Sequence, residues 1–126
     1  MPFRAGSLFR KMKTIRELIK NRQIEVRNSK DLLPQRAAEI LAELSSLLGN
    51  CMDEIREADR AYGVVLLNCL ESETKANRAK IRAEISPEFQ RKQEARNNKE
   101  LCIELIRSLK YFIKSRQEEY QHSGNI

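Results

Sequence analysis

The sequence predicts an all-α protein: a long antiparallel helical hairpin plus an N-terminal helix, forming a three- or four-helix bundle completed by oligomerisation. Three observations carry that expectation. Apolar residues recur every three or four positions from Ile40 to Cys69, the spacing of one helix face. Four Gly and three Pro in 126 residues supply too few turns for a many-stranded sheet. Charged residues make up 33% of the chain, with 6% aromatics and no Trp. At 14.7 kDa the chain is one domain, residues 1–126, with no room for a second catalytic domain.

The chain opens on a flexible basic segment, residues 1–13, in which Met12 marks a second natural-looking start, MKTIREL. Thr14 and Glu17 have the form of a capping box and open a first helix, 14–28. Asn28 to Asp31 is a polar break, after which Pro34 suits the first turn of a new helix, where its missing amide costs nothing. That long helix is expected over 34–85. Its inner seam reads Ile40, Leu41, Leu44, Leu47, Leu48, Cys51, Met52, Ile55, Ala58, Tyr62, Val65, Leu66 and Cys69. Gly49 and Asn50 are a weak point, but the apolar phase holds across them, which favours a continuous helix over a break. Gly63 stays in phase and allows a close helix neighbour. Past Leu70 only Ala76, Ala79, Ile81 and Ala83 remain to pack.

Ser86–Pro87 reads as a tight reversal, with Ser86 capping and Pro87 opening the last helix, 87–120. Its inward residues are Phe89, Ala95, Cys102, Ile103, Ile106, Leu109, Phe112, Ile113 and Tyr120, and residues 121–126 form a disordered tail. A reversal there sets Leu66 opposite Ile106 and Cys69 beside Cys102 or Ile103. It also projects 70–85 as an arm of about 20 to 25 Å. A lone hairpin leaves the Ile40 to Leu48 stripe uncovered, so another helix or another subunit must cover it. A homo-oligomer through Ile40, Leu44, Leu48, Ile55 and Leu66 is therefore expected.

Charge is distributed in blocks. Residues 1–30 carry nine basic and two acidic side chains, 31–74 three and nine, 75–99 eight and three, and 100–126 four of each. The net of +6 and pI near 9.4 favour a polyanionic or acidic partner. Lys75, Arg78, Lys80, Arg82, Arg91, Lys92, Arg96 and Lys99 gather at the hairpin tip, where two helices offer one surface to phosphates. Lys13, Arg16 and Lys20 belong to a second basic surface on the first helix. The alternative is ordinary solvated helix faces whose basic and acidic blocks pair with one another. Phe89 is the one aromatic at the tip, so base-stacking readout is not supported.

Catalytic chemistry has little material. His122 is the single histidine and falls in the expected disordered tail, so a Ser-His-Asp triad or a His metal cluster has no material. Cys51, Cys69 and Cys102 lack CxxC spacing and fall on the inner seam, where Cys acts as a small hydrophobe; a Cys69–Cys102 crosslink is the alternative. No glycine-rich phosphate loop occurs, and the acidic residues lack the Glu and His pairing of di-iron bundles. The expectation is a non-enzyme with no cofactor and no metal. The longest apolar stretch, Val64 to Leu67, is far short of a membrane span. The odd cysteine count and the lack of an export signal point to an intracellular setting.

The run NRAKIRAEISPEFQRKQEARNNKE, followed by LIRSLKYFIKSRQEEY, resembles small helical accessory proteins of tailed bacteriophages and prophages. The likeness covers Lys75 to Tyr120. It implies a phage or mobile-element accessory protein associated with nucleic acid, in the host cytoplasm. Two functions follow as expectations: non-specific DNA or RNA binding through the basic tip and N-terminal helix, or a protein interaction and assembly module with no nucleic-acid role.

Overall fold

A computed structural model describes residues 3–124, and the side chains of residues 15–119 and 121. Among these residues every regular element is helical: α1 (Phe3–Asn28), α2 (Pro34–Ser72), α3 (Ala76–Glu84) and α4 (Pro87–Gly124). α1 starts well before Thr14, so the capping box is not used and residues 3–13 continue the helix instead of forming a separate segment. Ala5, Leu8 and the run Arg10 to Lys13 are good helix formers and outweigh Gly6 and Ser7. The polar break leads into α2 with Leu33 as N-cap in extended conformation and Pro34 in the first turn. Leu32 folds inward there and is buried.

α2 spans 39 residues, about 58 Å at 1.5 Å per residue, and passes through Gly49 and Asn50 unbroken. It does not continue to residue 85. It ends at Ser72, where the Ser72 hydroxyl and the Glu73 backbone N–H both donate to the Cys69 carbonyl. Glu73 and Lys75 are extended, and α3 begins at Ala76. The physical reason lies in ESET. Ser and Thr compete with the backbone for helix hydrogen bonds, and Glu71 and Glu73 are unfavourable at the negative end of a long helix dipole.

The hairpin reversal is therefore at 73–75 and not at Ser86. Cys69, with Tyr62, Val65 and Leu66 around it, packs on Ala79 and Ala83, so α3 already runs back along α2. Ser86–Pro87 is a kink within the returning arm. The Ser86 N–H donates to the Ala83 carbonyl, Gln90 N–H donates to the Ser86 carbonyl, and Ser86 Oγ accepts from Phe89 N–H at 3.3 Å, so the cap expected of Ser86 forms without a reversal of the chain. The register moves accordingly: Phe89 meets Tyr62, Arg91 meets Glu54, and Cys102 meets Leu44. The anticipated pairs Leu66 with Ile106 and Cys69 with Cys102 are not formed, and 70–85 folds back instead of projecting. α4 runs on to Gly124, so 121–124 are helical and not a disordered tail; 125 and 126 lie outside the described residues.

Two cores result. At the base, α1 lies antiparallel to the first half of α2 and against the second half of α4. Ile19, Ile40, Leu44 and Leu109 are enclosed there with Cys51 and Cys102. Burying each large side chain contributes roughly 1.5–3 kcal/mol. At the tip the alanines bring α3 close to α2 around Cys69.

Candidate interaction surface

The cations expected to form a free basic tip are in large part held by the acidic block of the same chain. Glu54, Glu57 and Asp59 lie on the flank of α2 that faces the returning α4. Arg91 Nε is 2.7 Å from Glu54 and its Nη2 3.4 Å from Glu57. Lys92 and Arg96 both approach Asp59, at 3.9 and 3.6 Å, and the Lys92 ammonium sits 4.5 Å from the centre of the Tyr62 ring. Across the turn, Arg82 reaches Glu73 at 3.3 Å. Lys99 is half-buried. Lys75, Arg78 and Lys80 are the tip cations that stay exposed without an acidic partner among the described residues. The pairing of basic and acidic blocks thus occurs within one chain.

At the base, Arg22 contacts Glu43 at 2.7 Å, and Arg36 bridges Glu25 at 3.0 Å and Glu39 at 3.1 Å. The Arg36 hydrogen bond holds the Glu25 carboxyl below its ordinary range, and the same contact raises Arg36 further above its own. Arg22–Glu43 and Arg36–Glu25 fasten α1 to α2, while Arg36–Glu39 lies within α2. Arg16 and Lys20 are exposed on α1, while the side chain of Lys13 lies outside the described residues. With Arg22 at the level of Glu43, Arg16 and Arg78 are separated by about 20 helical positions along α2, on the order of 30 Å, so the two basic sets form separate surfaces.

The residues expected at an oligomer interface are inside the monomer. Ile40 and Leu44 are fully enclosed by α1 and α4, and Leu48, Ile55 and Leu66 are half-buried along the same seam. The cover required by that stripe comes from the chain's own helices. Left uncovered instead are Val64, Leu67 and Leu70 on α2, with Met52 further back, Ile81 on α3 and Ile85 just past its end; Leu18, Ile24, Leu33 and Tyr111 are exposed singly elsewhere. Met52, expected on the inner seam, is exposed instead. A signal for the rest was present: in the run Val64 to Leu67 a helix can turn only two of four consecutive residues inward, and Val65 and Leu66 occupy those places.

All three cysteines are free and buried. Burial, with Cys102 and Glu54 nearby, pushes the Cys51 thiol up to about 11, and burial raises Cys102 as well. The Cys102 thiol donates to the Leu44 carbonyl at 3.2 Å. Both therefore stay protonated at neutral pH and act as packing residues. A shallow cleft of about 430 Å³ between Pro34 and Ile113, Arg116, Gln117 and Gln121 brings no nucleophile and base together. Among the described residues no group of three or more His, Cys, Asp or Glu is placed to hold a metal ion, and no helix is long and apolar enough to cross a membrane. No family model, curated protein sequence or solved structure matches the chain.

Proposed function

We propose that the protein is a non-enzymatic helical interaction module that docks on a protein partner through the uncovered face of α2 near the hairpin turn. The observation that carries this reading is the row Val64, Leu67 and Leu70, three large apolar side chains left in water on successive turns. The rigid support beneath them is the Cys69, Ala79 and Ala83 cluster. The test uses the full chain as immobilised bait in an extract of its source cell, beside Val64→Asp and Leu67→Asp. A protein retained by the wild type and released by both variants, with helicity and melting temperature unchanged, is the expected result. Retention indifferent to both substitutions overturns the reading.

A second reading, non-specific DNA or RNA binding by an accessory protein of the phage type, is favoured by Lys75, Arg78 and Lys80, whose charges are exposed at the turn. Arg16 and Lys20 add a separate basic surface on α1. Its phosphate contacts fall on those residues, because Arg91, Lys92 and Arg96 would have to leave carboxylates to take part.

A further inference from the structure

The exposed positions of α2 form one outward stripe, and its two ends differ in kind. Toward the N-terminus it carries small residues: Ala42, Ser45, Ser46 and Gly49. Toward the C-terminus it carries Val64 (56% exposed), Leu67 (57%) and Leu70 (44%). Between them lie Asp53, Arg56 and Arg60, all exposed and without an ion-pair partner among the described residues. A glycine inside a helix costs about 1 kcal/mol relative to Ala. At Gly49 nothing in the monomer requires it, since a Cβ there would meet no atom within 4 Å; the same is true of Gly63, which is exposed and has no close helix neighbour, contrary to expectation. The shallow half of the stripe is thus shaped for something outside this chain.

We propose that the partner is a second copy of this chain, paired antiparallel across the outward stripes of the two α2 helices. The proposal rests on the reading of this face as a docking surface and names its occupant. With the two-fold axis near Arg56 and Glu57, helix geometry brings Val64 over the partner's Gly49 and Leu67 over the partner's Ser46. Leu70 then lies beside the partner's Ala42, and Arg60 lies opposite the partner's Asp53. Large side chains meet small ones and acid meets base, twice over by symmetry. A parallel pairing fits worse: it stacks Leu67 on Leu67, leaves glycine against glycine, and sets Arg56 and Arg60 against their own counterparts. The stripe from Ala42 to Leu70 is about 42 Å long and about 10 Å wide. Its footprint is on the order of 400 Å² per copy, about half of what a standard specific interface buries on each partner, so the dimer is weak, reversible and concentration-dependent.

The test is light scattering on the purified full chain over a wide concentration range. The expected mass rises from 14.7 kDa toward twice that value. Arg60→Asp weakens association about tenfold or more, and Asp53→Arg combined with Arg60→Asp restores it to near the wild-type value. Asp53 and Arg60 are two turns apart on one helix, too far to pair within a chain, so the rescue reports contact between copies. Gly49→Leu abolishes the dimer without lowering the melting temperature, because it fills only the outward groove. A monomer at every concentration overturns the proposal. So does a dimer indifferent to both Gly49→Leu and the charge reversal. Either outcome leaves release of another protein by Leu67→Asp to decide the wider reading separately.

Discussion

Arg91 does opposite things in the sequence and in the fold. By composition it belongs to a basic block of eight, yet its side chain is only 12% exposed and holds the buried Glu54 on one side and the exposed Glu57 on the other. A buried carboxylate that loses its cation is costly, so Arg91→Ala should destabilise the protein by roughly 3–5 kcal/mol, whereas replacing Glu54 by Leu and Arg91 by Met together should cost far less. Urea denaturation of the three chains checks this; equal losses in the single and double variants would show that the pair is not what matters. Ser86 was legible as an N-cap and is one. Arg91's partner was not legible, because it depends on which residue of α2 the returning arm brings alongside.

α3 shows how a short element decides the path of the chain. Its nine residues carry two fully enclosed alanines, Ala79 and Ala83, and it is by their small size that the helix lies close to Cys69. Ala83→Leu overpacks that contact and should cost about 1–3 kcal/mol. The loss should be local. Hydrogen exchange in 76–84 should rise well before exchange around Ile40 and Leu109 does, and a uniform rise would show that tip and base unfold as one unit. Pro34 and Pro87 each mark a helix start, as read from the sequence. Only the first accompanies a reversal. A Ser-Pro step suits a helix start equally well after a turn or within a kink, and the choice falls to the packing on either side.

Over the whole molecule, a three-helix base secures one end and a two-helix arm carries the exposed surface at the other. Any DNA binding at the arm should be carried by Lys75, Arg78 and Lys80. The slope of log affinity against log salt should then change by no more than about 3 when all three become Glu. Arg91→Glu should act instead through loss of stability. A filter-binding or anisotropy titration over a salt series measures both, and a slope unchanged in the triple variant would place the phosphate contacts elsewhere.

The sequence by itself determined the helical class, the inner seam from Ile40 to Cys69, the break before Pro34, the cap at Ser86 and the burial of all three cysteines. Each is written in the identity and spacing of neighbouring residues, through the 3.6-residue period and the first-turn amides. Only the tertiary structure decided where the hairpin turns, which residues face one another, and which charges remain free. ESET contains no glycine or proline to announce a reversal, and moving the turn from Ser86 to 73–75 shifts the register of the whole arm. That shift sets Arg91, Lys92 and Arg96 against acidic side chains and gives Ile40 and Leu44 to the monomer core. Val64, Leu67 and Leu70 face outward by the phase of α2, which local spacing sets, but that α3 and α4 leave them uncovered follows from the path of the chain.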